Sequence, residues 1–329
     1  MAKITILGAG GFGTALATVS EKIGHTVTLW SPFEEEINAI KKDGENKKLL
    51  CGILVPKDIT LTTDINCVVG ADLVIFAVPS FAVRETAKKI RSVVSKNTII
   101  ANVAKGFEAD TNKLLSTVLK EELEDNSVVV LTGPSHAEEV AREIPTSLLC
   151  VSEDVSSAKK VQDLLMTSFL RIYISTDIKG AQLGGALKNV IALAAGICDG
   201  LNFGDNTKAA LITRGIAEIS RLGQAMGAER ETFAGLSGIG DLIVTCTSMH
   251  SRNRRMGILL GGGKDSDTAL KEIGMTVEGY YACKIAYTLS REYNVDMPII
   301  CAVYKILFEN ADAREAALSL MERPGGAEN

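Results

Sequence analysis

An apolar run, Ile4-Thr5-Ile6-Leu7, leads directly into Gly8-Ala9-Gly10-Gly11-Phe12-Gly13, and Thr14-Ala15-Leu16-Ala17 continues behind it as a helix. This is G-x-G-x-x-G in its informative setting, between a strand and a helix. Gly8 permits the tight turn, Gly10 lets the backbone approach a pyrophosphate, and Gly13 lets the helix pack on the strand. The helix start adds unpaired N–H groups and the positive end of its dipole. Gly8, Gly10, Gly11, Phe12 and Gly13 are therefore candidate cofactor-binding residues. The bland alternative is a glycine-rich turn with no ligand.

The acidic residue that usually closes this motif is missing. A second strand, 26–30, ends at Ser31-Pro32. A carboxylate there binds both ribose hydroxyls and repels a 2′-phosphate. Ser31 can hydrogen-bond a hydroxyl, which makes it a further cofactor candidate, but it repels nothing. Glu34, Glu35 and Glu36 come late and read as the solvated first turn of a helix, where acids suit the dipole. The cofactor is thus NAD or NADP, with discrimination expected to be weak, within roughly tenfold.

The 329 residues allow about two domains with ample core. A net charge of −5 gives nucleic-acid binding no support. No uninterrupted apolar run approaches the ~18 residues of a membrane span, and Met1-Ala2-Lys3 leaves no room for a signal peptide before the first strand. The seven cysteines are scattered without C-x-x-C, which points to reduced thiols and a cytoplasmic protein. His25, His136 and His250 are too dispersed for a metal site, and none is expected.

Strand-like runs recur at 3–7, 26–30, 73–78, 98–103, 128–132, 147–151 and 170–174, with helical patterns at 14–23, 34–42, 81–95 and 112–122. Such alternation predicts an α/β, Rossmann-like doubly wound, mainly parallel sheet. Beyond that, helical patterns take over at 181–200, 207–226, 278–293 and 298–309, predicting an all-α C-terminal domain. The expected division is 1–178, binding dinucleotide, and 179–329, helical and carrying substrate and catalysis. Residues 261–267, rich in glycine, read as a flexible loop.

Lys188 is the most suspicious ionisable group. On a helix, Leu183, Leu187, Val190, Ala194 and Ile197 form one apolar stripe. Lys188 shares another face with Ala181, Gly184, Gly185, Ala192 and Ala195, where another backbone or a ligand can come close. Burial disfavours an ammonium and suits it to proton transfer near neutrality; a snorkelling lysine is the alternative. Asn189 adds an amide beside it. Asp241 follows Gly235-Leu236-Ser237-Gly238-Ile239-Gly240 and reads either as a helix N-cap or as a carboxylate facing Lys188. Ser251-Arg252-Asn253-Arg254-Arg255 is either a phosphate site or a solvated basic patch. Two loops follow predicted strands: 102–108, with Lys105, and 133–138, where Ser135 and Glu138 match a capping box. His136 is the rival general base.

These segments together resemble the NAD(P)-dependent glycerol-3-phosphate dehydrogenase family of bacteria. The resemblance lies in Gly8 to Ala17, Val103 to Glu108, Gly133 to Glu138, Gly185 to Asn189, Gly200 through Asn206 to Arg214-Gly215, Gly235 to Thr245, Ser251 to Asn253, and Val277 to Gly279. It covers nearly the whole chain in order. It implies a Rossmann domain joined to a helical domain with the active site in the cleft, and reversible reduction of dihydroxyacetone phosphate to sn-glycerol 3-phosphate, supplying phospholipid synthesis. By that resemblance Lys188 is the proton donor and acceptor. Lys105, Gly133, Ser135, Asn189, Asp241, Thr245, Ser251, Arg252 and Asn253 are on or near substrate, with Arg252 on its phosphate. Gly11, Phe12, Lys105, Ala137, Arg252, Val277 and Glu278 touch the cofactor. The chain departs from the family at Gly11-Phe12 (usually Ser-Trp), at Ser31-Pro32 (where a basic residue often follows the second strand) and at Leu49-Leu50-Cys51 (usually Tyr-Leu-Pro). All three concern the adenosine half of the site or its surroundings. The expected partners are a small phosphorylated substrate and, through the C-terminal helices, a second copy in a homodimer; nucleic acid and stable membrane insertion are not expected. The rival functions are another NAD(P)-dependent hydroxyacid or sugar-acid dehydrogenase of similar architecture and a non-catalytic NAD-binding redox sensor.

Overall fold

The computed structural model describes residues 1–325, which form two compact units, Met1–Gln182 and Leu183 onward. The first unit carries eight strands: β1 (Lys3–Leu7), β2 (Thr26–Trp30), β3 (Thr60–Thr62), β4 (Leu73–Phe76), β5 (Ile99–Asn102), β6 (Val128–Thr132), β7 (Thr146–Val151) and β8 (Leu170–Ser175). They form one sheet in the order β3-β2-β1-β4-β5-β6-β7-β8. The first six in sequence pair in parallel, as expected, and β8 is parallel to β7. The exception is β7, which runs antiparallel to β6, Leu131 opposite Cys150. Short β3 escaped the sequence reading because only three residues pair, on an edge.

Helices α1 (Gly11–Lys22), α2 (Glu34–Asp43), α3 (Val83–Ile90), α4 (Leu115–Glu122), α5 (Ala137–Ala141) and α6 (Val155–Leu165) cover the sheet. The strands are buried on both faces, and the two faces feed two separate cores. One joins Ile4, Ile6, Val27, Leu29 and Ile75 to Leu16 and Val19 of α1 and Val161 of α6. The other joins Leu7, Trp30, Val74 and Phe76 to Val83, Ala87 and Ile90 of α3 and Leu115 and Val118 of α4. Period-2 alternation of this kind is what a doubly covered parallel sheet requires.

The dividing line falls inside α7 (Ile178–Gly200), four residues later than the 178/179 division read from the sequence. This 23-residue helix is long and apolar enough on composition to cross a membrane, although no such span was expected. Its most apolar window is wholly buried within the protein. The second unit continues with α8 (Asp205–Ala225), α9 (Asp241–Thr247), α10 (Arg252–Gly261), α11 (Ser266–Ile273), α12 (Glu278–Glu292), α13 (Pro298–Phe308) and α14 (Ala313–Met321). The expected loop at 261–267 is shorter than read, because the Asp265 side chain accepts from the Thr268 N–H and caps α11.

Glu218 lies on the buried stripe of α8 with Leu211, Gly215 and Leu222. Its carboxylate accepts from the backbone N–H groups of Ile299, at 2.8 Å, and Ile300, at 3.3 Å, capping α13 from outside. Burial pushes this carboxyl up from 4.5 to about 7, although the two backbone bonds favour the ionised form. The folded protein therefore holds that proton more tightly than the unfolded chain does. The resulting stabilisation is complete below the unfolded value and is lost as pH climbs through the folded one. Between pH 4.5 and 7 this one group should remove about 3 kcal/mol of stability. Denaturant unfolding of wild type and Glu218→Gln at both ends of that window checks it: the variant should lack this component, and identical pH dependences would contradict it.

Candidate active site

The glycine turn sits at the switch point of the sheet. The Gly8 N–H donates to the Trp30 carbonyl at 2.8 Å, and the Ala77 N–H to the Leu7 carbonyl at 2.8 Å, so the turn leaves β1 between the carboxyl ends of β2 and β4. Gly8 has φ +121°, and a Cβ there would lie 2.6 Å from the Ala77 carbonyl oxygen. A Cβ on Gly13 would lie 2.0 Å from the Gly8 oxygen, so α1 packs directly on its own turn. Gly10 differs: a Cβ there would meet no protein atom within 4 Å. That open side, at a helix start with no side-chain cap and no acid in its first turn, fits an approaching pyrophosphate. Gly11 lies beside Ala137, whose Cβ is 3.6 Å from where a Gly11 Cβ would stand, so these two candidates are adjacent.

Asn46 was not singled out by sequence, since it lies in an aperiodic stretch. It is buried, and its Nδ2 donates to the Ala9 carbonyl at 2.8 Å and to Thr14 Oγ1 at 3.1 Å, bracing the turn from the side. Ser31 is 1% exposed, and its hydroxyl donates to Glu36 Oε2 at 2.6 Å. Glu36 is thus half-buried and tied to the end of β2, unlike exposed Glu34 and Glu35.

Beyond β5 and β6, Lys105 Nζ donates to the Gly133 carbonyl at 2.9 Å, and Ser135 Oγ donates to the same oxygen at 3.0 Å. Three candidates therefore form one cluster. The capping box read at Ser135 and Glu138 does not form: the N-cap of α5 is His136, with no side-chain cap bond, because Ser135 turns back to Gly133. The Lys105 loop is anchored behind by Arg84, whose Nε and Nη2 bond Glu108 at 2.6 and 2.8 Å and whose Nη1 bonds Glu122 at 2.6 Å.

In the second unit, Lys188 lies on α7 and is 5% exposed. Its neighbours Ala181 to Ala195 are buried all round the helix, so it does not snorkel. It pairs with the carboxylate of Asp241, itself 1% exposed, and donates to Thr245 Oγ1 at 2.7 Å. Thr245 donates in turn to the Asp241 carbonyl at 2.6 Å, one turn back along α9. Asp241 opens α9 after a π-helical turn, Leu236–Gly240, broken at Gly238. α7 approaches that turn closely: a Cβ on Gly184 would sit 2.5 Å from the Ser237 carbonyl oxygen. The bare face around Lys188 thus admits another stretch of backbone, which delivers the carboxylate. Burial works against the ammonium, and the adjacent carboxylate works for it.

Next to Lys188, Asn189 Oδ1 accepts from Asn253 Nδ2 at 3.0 Å, and Asn253 Oδ1 accepts from the Gly279 N–H at 2.8 Å. This chain of amides ties α7, α10 and α12 together and sets Val277 and Glu278, at the start of α12, beside Asn253. Ser251 caps α10, accepting from the Arg254 N–H at 3.2 Å, and half-buried Arg252 is the first residue of that helix. Arg254 Nε bonds Asp199 Oδ2 at 2.7 Å, while Lys208 pairs with Asp199 Oδ1 at 2.6 Å. Sequence reading missed Asp199, although an acid in the last turn of a helix opposes the dipole and signals an external partner. Among the described residues no group of three or more His, Cys, Asp or Glu could hold a metal ion.

Residues 3–158 match the family model described as NAD-dependent glycerol-3-phosphate dehydrogenase N-terminus, and residues 177–318 match its C-terminus counterpart. The chain belongs to the NAD-dependent glycerol-3-phosphate dehydrogenase family. Within it, the chain is 53% identical to the glycerol-3-phosphate dehydrogenase [NAD(P)+] of Thermoanaerobacter sp. (strain X514) over 322 residues, covering 98% of this chain and 97% of that one. To the enzyme of the same name from Clostridium perfringens (strain SM101) it is 52% identical over 324 residues, covering 98% of each. The crystal structure of glycerol-3-phosphate dehydrogenase from Coxiella burnetii superimposes with a TM-score of 0.94 at 37% identity, covering 98% of this chain and 99% of that one. The Rossmann-like α/β fold with a helical C-terminal domain is that of the family, and the chain is an oxidoreductase of the NAD(P)-dependent class.

The buried pair makes a testable demand on stability. Asp241→Asn should destabilise the protein by about 3 kcal/mol or more, because it strands a buried ammonium. Lys188→Met in the same chain should restore part of that loss, leaving the double variant no less stable than Asp241→Asn alone. Thermal unfolding of the two singles and the double decides; simple additivity would show that the two groups are not coupled.

Proposed function

We propose that this chain catalyses the reversible NAD(P)H-dependent reduction of dihydroxyacetone phosphate to sn-glycerol 3-phosphate, supplying phospholipid synthesis in the cytoplasm. The observation that supports it most is the buried Lys188–Asp241 pair, in a chain matched to this family over nearly its full length. Residues 1–178 serve as the dinucleotide-binding domain, with Gly8, Gly10, Gly11, Phe12, Gly13, Ser31, Lys105 and Ala137 as its contacts. Residues 179–329 serve as the substrate and catalytic domain, adding Arg252, Val277 and Glu278 to the cofactor and Asn189, Ser251, Arg252 and Asn253 to the substrate. When bound, a reduced nicotinamide would supply the hydride that C2 of the ketone takes up. Lys188 gives a proton from Nζ to the oxygen on which negative charge develops, and in the reverse direction accepts the hydroxyl proton. Thr245 Oγ1 fixes Nζ, and the Asp241 carboxylate favours regaining the proton.

Arg252 takes the substrate phosphate, so binding energy remote from the carbonyl orients it. Lys105, Gly133 and Ser135 complete the substrate contacts, with Lys105 offsetting anionic charge. The seven free cysteines support a reducing compartment. Two copies pair through the C-terminal helices. A redox sensor without turnover would have no use for a lysine held at this depth, and the other-dehydrogenase reading lacks the family-model match and the sequence identity.

The test is oxidation of NADH or NADPH by dihydroxyacetone phosphate, beside a panel of 2-keto acids. The phosphorylated ketone should be the substrate, and Lys188→Ala should lower kcat at least ~10²-fold, the scale of a lost general acid. Dinucleotide affinity should barely move. Near-normal turnover by the variant would remove Lys188 from the mechanism and promote His136.

A further inference from the structure

β2 ends one residue before Ser31, and its last carbonyl, on Trp30, accepts from the Gly8 N–H of the phosphate turn at 2.8 Å. In a sheet of this order the carboxylate that reads the adenosine ribose is expected at this point. The chain has none in sequence there, yet it has one in space. Phe33 N–H donates to Ser31 Oγ at 3.3 Å, and Ser31 Oγ donates to Glu36 Oε2 at 2.6 Å. This short relay draws Glu36 back from the first turn of α2 and holds its carboxylate against the strand end, with no hydrogen bond to Oε1 among the described residues. Along the chain the neighbouring charges have one sign: Glu34 and Glu35 precede it, and no Lys or Arg occurs between Lys22 and Lys41.

We infer that Glu36, positioned by Ser31, is the residue that selects the cofactor, accepting hydrogen bonds from the ribose hydroxyls of NADH and repelling the 2′-phosphate of NADPH. The inference rests on the dinucleotide-binding reading above and replaces the weak discrimination expected from Ser31 alone. A charged hydrogen bond gained by one cofactor and a like-charge contact suffered by the other set the scale: NADH should bind about a hundredfold more tightly than NADPH. The experiment is equilibrium titration of each dinucleotide, read by the fluorescence of the bound nicotinamide, with kcat/KM for dihydroxyacetone phosphate measured alongside. Glu36→Gln keeps the size of the side chain and its bond to Ser31 while removing the charge, so the ratio of the two Kd values should fall to within about tenfold. Ser31→Ala leaves the charge but releases its tether, and should give an intermediate ratio. Equal affinities in wild type, or a ratio unmoved in Glu36→Gln, would overturn the inference and leave dinucleotide binding standing. Binding of neither dinucleotide would overturn the dinucleotide reading, and the inference with it.

Discussion

A charged lysine cannot be kept inside a protein without a partner, and much of the second unit is organised around that constraint at Lys188. Desolvating an ammonium and a carboxylate costs several kcal/mol each, so the pair persists only where geometry brings the two into direct contact with further hydrogen bonds. Thr245 supplies the further bond, and the broken turn at Gly238 aims Asp241 at the start of α9. α7 meets this arrangement at Gly184, where a side chain would strike the Ser237 carbonyl. The same logic extends along α7 to α10: a Cβ on Gly196 would lie 2.0 Å from the Arg254 carbonyl oxygen, so these helices touch backbone to backbone. Small residues on α7 serve helix approach, and that approach fixes the polar groups beside them.

Under the proposed function the first unit meets a different demand, that of holding a pyrophosphate on backbone N–H groups. Its solution is a helix start left open at Gly10 and braced by Asn46, with the strands on either side fixing the turn through Trp30 and Ala77. Rigidity comes from sheet and helix packing, and the proposal gives the binding to the exposed peptide groups. The loops after β5 and β6 follow the same plan, since one carbonyl, on Gly133, orients both Lys105 and Ser135.

Sequence alone conveyed those parts of the structure that have local physical signatures. The glycine turn, the doubly apolar strands and the long helices were legible because period and turn chemistry report directly on backbone and burial. Lys188 stood out because a lysine on a face of glycine and alanine is anomalous. Asp241 was legible only as one of two alternatives, since nothing local distinguishes a capping carboxylate from one facing a lysine 53 positions away. The antiparallel turn of β7 was hidden because strand direction is set by connection geometry rather than by the apolar pattern. Glu36 was misread for a related reason. Three consecutive acids at a helix start look equivalent in sequence, and only the backbone course from Ser31 to Glu36 singles out the third. Glu218 was discoverable, because it occupies an apolar position in the periodicity of α8.

The central claim is that Lys188 moves the proton. Chemical rescue of Lys188→Ala by small primary amines tests it most directly, because an added amine restores a proton donor without restoring the side chain. Turnover of dihydroxyacetone phosphate by the variant should rise with methylamine or ethylamine concentration and should depend on the pKa of the amine, while wild type stays unaffected. A variant that binds dinucleotide and substrate normally, yet is insensitive to every amine small enough to enter the space left by the side chain, would contradict the account.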